Sequence, residues 1–207
     1  MKRILTTPIS KKDIEDLRIG DVIYLTGTLV TGRDDVHHRV VREGLQCPVD
    51  FSSIGIMHAG PIIHEEPGNN YLVAVGPTSS IRMEADEAEF IEITGVKLLV
   101  GKGGMGEKTA AACKKFGAIH CVYPGGCAAS AGKYVKKLEG VYWRELGMPE
   151  AMWVMKVEEF GPLIVSIDTQ GNNMFVENKA YYASKRAACE APIIEKLKDY
   201  MKVEEVK

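Results

Sequence analysis

The alternation of hydrophobic and polar positions in this chain changes rhythm near Arg82. Before it, residues 21–30 (DVIYLTGTLV) are rich in β-branched and aromatic side chains behind Gly20 and predict a strand. In 33–43 (RDDVHHRVVRE), Val36, Val40 and Val41 fall at helical spacing, and Gly44 is placed to stop the helix. Residues 54–58 and 71–75 predict short strands. Each is followed by a Gly-Pro turn, at Gly60-Pro61 and Gly76-Pro77, with a polar hairpin or loop at 64–70 between them. From Arg82 onward, helices at 82–94, 107–116, 127–138 and 149–160 interleave with strands at 96–100, 118–123, 141–144 and 163–167. Residues 168–172 (DTQGN) predict a turn into a short strand at 174–176, and a last helix runs from about 178 to 201. This is an α/β pattern, strand-rich in its first half and alternating in its second. With no internal repeat, it predicts one domain over residues 1–207.

Composition adds exclusions. The chain is 45% hydrophobic and 26% charged, enough apolar material for a core. Its net charge is −2, with Lys and Arg scattered among acidic residues rather than set in a basic stripe with aromatics, so nucleic acid is not an expected partner. No apolar run approaches the roughly 18 residues that cross a bilayer. The opening MKRILTTPIS holds too short an apolar stretch for a secretory signal, so a cytoplasmic location is expected. The five cysteines, Cys47, Cys113, Cys121, Cys127 and Cys189, form no C-x-x-C pair. Cys121 and Cys127 flank Pro124-Gly125-Gly126 and could meet across a loop, but the set reads as reduced thiols with no metal of its own.

The chemistry gathers at three strand-to-helix turns. Gly101–Gly106 (GKGGMG) satisfies G-x-G-x-x-G through Gly101, Gly103 and Gly106, but a dinucleotide site also needs an acid at the end of the next strand, which here ends HCVYP. A P-loop fails because Glu107 separates Gly106 from Lys108-Thr109. What survives is an anion seat, made of helix N-terminal N–H groups and Lys102, or else a tight turn with a solvated lysine. The second turn, 76–83 (GPTSSIRM), puts Thr78 and Arg82 four residues apart; the plainer reading is a helix cap and a surface charge. The third, 31–39 (TGRDDVHHR), carries Arg33, Asp34, His37 and Arg39, with Arg33 and His37 on one helical face. Open α/β sheets bind ligands where such turns gather. Two arginines and a lysine beside a neutral hydroxyl suit a ligand with two carboxylates, since Arg grips carboxylate through two parallel bonds. With no nucleophile motif, metal set or complete cofactor fingerprint, these residues read as half of a site.

On the blocks LTGTLVTGRDDVHHR, HAGPI, VGPTSSIRME, TGVKLLVGKGGMG, ELGMPEAMW and GPLIVSIDTQGNN, the chain resembles the β subunit of two-subunit class I fumarate hydratases and L(+)-tartrate dehydratases. The same region forms the C-terminal domain of single-chain class I fumarases. The likeness runs from KRILTTPI to the ENK that opens the last predicted helix. It implies a swivelling β/β/α domain that closes over a cluster-bearing α subunit in an α2β2-like hetero-oligomer. A [4Fe–4S] cluster on that partner, with one iron open to substrate, would serve as Lewis acid, and this chain would bind no cofactor. The resemblance gives Arg33, Arg82 and Lys102 the substrate carboxylates and Thr78 the proton next to a carboxylate. An unperturbed Thr hydroxyl is too weakly acidic for that, so cations such as Arg82 must stabilise its alkoxide. His37 is implied as a further catalytic residue, or as the residue that orients Arg33.

Two departures bear on the substrate. His58 stands where many fumarases have Tyr, as in the tartrate dehydratases, and Ser79, Ser80 and Ile81 replace a Thr-Ala-Gly of many single-chain fumarases. The leading expectation is reversible hydration of fumarate to (S)-malate, with dehydration of L(+)-tartrate to oxaloacetate as a close rival. A non-catalytic dicarboxylate-binding module and a nucleotide-dependent enzyme using the glycine loop are the alternatives of other classes.

Overall fold

A computed structural model describes residues 3–68 and 70–197. The chain divides into two compact units, Met1–Met174 and Phe175–Lys207. In order, the elements are β1 (Arg3–Thr6), α1 (Lys11–Ile14), β2 (Val22–Thr31), α2 (Asp34–Val41), β3 (Gly55–Met57), β4 (Ala59–His64) and β5 (Tyr71–Pro77). After a 3-10 turn at Ser80–Met83 come α3 (Glu87–Thr94), β6 (Leu98–Gly101), α4 (Glu107–Phe116), β7 (Ile119–Val122), α5 (Ala128–Gly132), β8 (Val135–Tyr142), a second 3-10 turn at Arg144–Leu146, β9 (Met152–Ile167) and α6 (Met174–Lys196).

Seven strands form one sheet in the order β1-β2-β3-β6-β7-β9-β8, and β2 also pairs with β9. The circuit β2-β3-β6-β7-β9 therefore closes on itself. The segment β2-β3-β6-β7 is parallel, and β9 joins it antiparallel on both sides. Strand alternation splits the core. Leu29, Leu98, Val100, Ile119 and Cys121 belong to one buried cluster, while Val30, Leu99 and Ala118 belong to another. The second cluster is where α2, α3 and α4 pack, through Val36 and Val40, Phe90 and Ile91, and Ala112 and Cys113. Each fully buried Leu or Ile there contributes about 1.5–3 kcal/mol.

Several elements differ from the sequence reading. Residues 149–160 were expected to be helical, but Met152–Ile167 is a single long strand. Met155 and Val157 point inward between outward Lys156 and Glu158, a period of two that pairing with β2 and β8 selects over the helical spacing of the same residues. The expected helix 127–138 stops at Gly132, and its second half joins β8, again because β9 offers an open edge. Residues 174–176 open α6 rather than form a strand. Gly60-Pro61 and Gly76-Pro77 are not turns. They face each other inside the two-stranded β4–β5 sheet, where Gly60 pairs with Gly76 and an unpaired edge tolerates proline. In the second unit, α6 buries none of its residues and contains Pro192. The helix end expected near Met201 lies outside the described residues.

Candidate active site

The parallel strands place the site. Thr31 of β2 aligns with Met57 of β3, and Met57 with Val100 of β6, so the segments carrying Arg33, His58 and Lys102 leave the sheet side by side at its carboxyl end. The segment after β5 reaches the same edge. The Thr78 N–H donates to the His58 carbonyl at 2.7 Å, and Ser79 forms an isolated parallel bridge with Lys102.

Arg33, Thr78 and Arg82 are joined by direct contacts. Arg82 donates from Nη1 to Thr78 Oγ1 at 3.3 Å and from Nη2 to Asp34 Oδ2 at 2.7 Å. Asp34 Oδ2 lies 3.5 Å from Arg33 Nε, which pairs with Glu150 Oε1 at 2.7 Å. The arginines are thus not bare cations: Asp34 lies between them and Glu150 holds Arg33. Burial raises the pKa of Glu150, although the Asp35 N–H and Arg33 act against that rise. Lys102 is exposed, its stem runs over Gly125, and its ammonium forms no ion pair among the described residues. The Arg33 guanidinium passes so close to Gly60 that a Cβ there would lie 3.1 Å from Nη1.

The glycine loop has a different role from the one its pattern suggests. Glu84 takes the N-terminal donors of α4: Oε2 accepts from Gly106 N at 2.7 Å and Thr109 Oγ1 at 2.6 Å, and Oε1 from Lys108 N at 3.1 Å. The helix end expected to seat a substrate anion is therefore filled by a carboxylate of the chain itself. Of that seat, the Lys102 side chain stays exposed. The signal was the acid of RMEADE, two residues past Arg82, whose reach across to the loop depends on the bridge between Ser79 and Lys102.

Behind the cations lies a buried polar chain that sequence reasoning missed. His37 is 1% exposed, with Nδ1 2.9 Å from the Arg33 carbonyl and Nε2 3.4 Å from Glu87 Oε2. His58 Nε2 lies 3.1 Å from the same carboxylate oxygen, and its Nδ1 is 3.0 Å from Ser80 Oγ. Ser80 Oγ also accepts from Lys102 N at 3.1 Å and lies 3.2 Å from His120 Nε2. His120 Nδ1 meets Ser166 Oγ at 2.6 Å. Burial works against the His37 imidazolium, but Glu87 and the Arg33 carbonyl outweigh it and raise its pKa. Burial likewise opposes the Glu87 carboxylate, yet His58 and His37 hold it well below the usual range. His120 is lowered to about 3 by burial and by His58. His58 and Ser80, expected near the substrate, are both fully buried.

Among the described residues, one group of side chains has the spacing of a metal-ligand set: His37, His58 and Glu87. Glu87 and His37 pair as carboxylate and imidazolium, with His58 Nε2 against the same oxygen, and we read the group that way. The cysteines do not fit a cluster. Cys113 and Cys121 lie in different core clusters with thiol pKa values raised by burial, Cys47 and Cys127 are half-buried beside different clusters, and Cys189 is exposed in α6.

Comparison with known proteins gives the class. The family model "Fumarase C-terminus" matches residues 1–178, and the chain belongs to this family. It is 53% identical over 201 residues to the L(+)-tartrate dehydratase subunit beta of Escherichia coli (strain K12), covering 97% of this chain and 98% of that one. A putative L(+)-tartrate dehydratase subunit beta of Methanocaldococcus jannaschii is 40% identical over 179 residues, 84% of this chain and 92% of that one. A putative fumarate hydratase class I of Geobacillus stearothermophilus is 34% identical over 195 residues, 93% of this chain but 37% of that longer protein. Among the described residues, no helix is long and apolar enough to cross a membrane.

Proposed function

We propose that this chain is the β-type subunit of an iron–sulfur hydro-lyase that reversibly hydrates fumarate to (S)-malate. It supplies the cationic and proton-transfer half of a site shared with a cluster-bearing α subunit. The observation that carries this reading is the contact chain Arg33–Asp34–Arg82–Thr78 at the carboxyl edge of the parallel strands. Arg33, Arg82 and Lys102 hold the two substrate carboxylates, an arriving carboxylate competing with Asp34 for the guanidinium donors. Thr78 moves the proton at the carbon next to a carboxylate. An Arg82 N–H aimed at Oγ1 leaves the hydroxyl proton free to transfer and stabilises the alkoxide that remains. His37, buried behind Arg33, orients that residue through its carbonyl.

The [4Fe–4S] cluster belongs to the α subunit in this proposal, where it supplies a Lewis acid to the substrate hydroxyl. Residues 1–207 act as one swivelling β/β/α domain that closes over that partner in an α2β2-like, cytoplasmic assembly. A second substrate, L(+)-tartrate, is favoured by one observation: the 53% identity with the E. coli subunit, which extends over nearly the whole chain.

The test is to assemble the chain with its cluster-bearing partner without oxygen and assay both substrates side by side. Turnover of either with both subunits present, and of neither with one omitted, supports the reading. Turnover of neither by the complete assembly rejects it. Calorimetry separates the non-catalytic alternative, which requires tight binding of malate by this chain alone.

A further inference from the structure

The buried chain behind the cations has a topology that the reaction alone does not require. Its six members, His37, His58, Ser80, Glu87, His120 and Ser166, come from six separate segments and are all at most 1% exposed. Three of them hold the backbone of the turns that carry the proposed site. His37 Nδ1 faces the Arg33 carbonyl at 2.9 Å. The His58 carbonyl accepts from the Thr78 N–H at 2.7 Å. Ser80 exchanges two bonds with Lys102, its N–H to the Lys102 carbonyl at 3.0 Å and its Oγ from the Lys102 N–H at 3.1 Å. His37 and His58 meet on one atom, Glu87 Oε2, and His58 continues to Ser80.

The proton positions follow from the partners. A carbonyl only accepts, so His37 Nδ1 must carry a hydrogen toward Arg33. A neutral His37 would then aim the lone pair of Nε2 at a carboxylate, and the contact is favourable only if that nitrogen is protonated as well. At the far end, Ser166 Oγ donates to the His120 carbonyl at 3.1 Å, so it accepts from His120 Nδ1, leaving His120 Nε2 as an acceptor for the Ser80 hydroxyl. Glu87 is the single carboxylate among these six buried residues. The charged and titratable groups facing it are His37 from α2, His58 from the β3–β4 junction and the neutral Cys113 thiol from α4, with His120 of β7 and Asp86 further off.

We propose that Glu87 is a positioning residue for the hydro-lyase site: through His37 and His58 it sets the backbone of the turns that present Arg33, Thr78 and Lys102. It touches no substrate. The inference rests on the hydro-lyase reading for its consequence on turnover, but its structural content, a doubly protonated His37 held by a buried carboxylate, stands without activity. Removing the charge while keeping the shape, Glu87→Gln, leaves at most a neutral amide oxygen where both imidazoles meet, frees His37 to lose its proton, and lets the Arg33 and Thr78 turns relax.

The experiment has two arms. In the assembled enzyme, Glu87→Gln should lower kcat/KM by roughly tenfold to a hundredfold, the scale of a catalytic group displaced by less than an ångström or so. The fall should be accompanied by an alkaline limb moved to lower pH, while Glu87→Asp keeps that limb close to wild type. An unchanged profile overturns the proposal, and so does a uniform loss at every pH. The second arm uses the wild-type chain and needs neither turnover nor a folded variant: a nitrogen NMR titration of the histidine rings should show His37 keeping both nitrogens protonated above the pH at which an ordinary histidine loses its proton. A neutral His37, or a stoichiometric metal ion bound by His37, His58 and Glu87 in the purified chain, overturns it. If the enzyme turns over no dicarboxylate but His37 is doubly protonated, the hydro-lyase reading falls and the buried anchor stands.

Discussion

Gly101, Gly103 and Gly106 fit a dinucleotide fingerprint, yet the structure gives each its own reason to lack a side chain, and those reasons predict unequal costs. A Cβ on Gly101 would lie 1.7 Å from Ser80 Oγ and 3.1 Å from His58 Nδ1. Ser80 can escape only by turning its hydroxyl away from Lys102 N, His58 Nδ1 and His120 Nε2. Each buried group so stranded costs about 1–3 kcal/mol, so Gly101→Ala, which strands three, should lose roughly 3–9 kcal/mol. That is a large share of the about 5–15 kcal/mol that holds a typical domain. Gly103 has φ +74 with nothing within 4 Å of its Cβ position, so Gly103→Ala pays only the left-handed backbone cost, about 1 kcal/mol. A Cβ on Gly106 would come within 2.5 Å of the Glu84 carboxylate and disturb a helix cap, about 0.5–2 kcal/mol. Urea unfolding of the full chain and its three variants measures the series. Gly101→Ala within 1 kcal/mol of wild type, or Gly103→Ala as the most damaging of the three, would refute this reasoning.

Further outcomes follow from the same geometry. Arg82→Ala and Lys102→Ala should each cost about 2–4 kcal/mol in kcat/KM of the assembled enzyme, and wild-type kinetics would remove the residue from the site. Stability should fall as pH drops below 6.5, because an unfolded His takes a proton there while folded His120 resists until about 3. His120→Gln should flatten this part of the pH–stability curve. At the alkaline side the sign reverses: the raised pKa of His37 gives stability that is present below 6.5 and lost as pH rises through that raised value. Alkylation of the native chain, followed by mass spectrometry, should label Cys189 well before Cys113 and Cys121, whose thiols are buried with raised pKa values.

The parts of the fold legible in the sequence are those whose periodicity agrees with their packing. β2 and α4 stand where their patterns put them, and α2 lies within its predicted span, since Val36 and Val40 on one face leave little choice. The helix expected over 149–160 fails because apolar residues at 152, 153, 155, 157 and 160 satisfy helical and strand spacing together, and only pairing with β2 and β8 decides between them. Arg33, Thr78, Arg82 and Lys102 were legible as residues because each follows a strand in a turn whose local chemistry is polar. Their restraints were not. Asp34 read as one more charge of a helix start, and Glu150 meets Arg33 across more than a hundred positions. The His37–Glu87–His58–Ser80–His120 chain has no local pattern, because every link joins different segments and each residue alone resembles a core histidine or a helix acid.

Hydrogen exchange into substrate reports on whether this chain holds the proton-transfer group of a shared hydro-lyase site. The assembled enzyme is incubated in D2O with (S)-malate, and in parallel with L(+)-tartrate, and deuterium at the carbon next to the carboxylate is followed by NMR. Wild type should exchange on at least one substrate, and Thr78→Ala should lose that exchange, with kcat falling more than KM rises. Exchange at the wild-type rate in Thr78→Ala would contradict it.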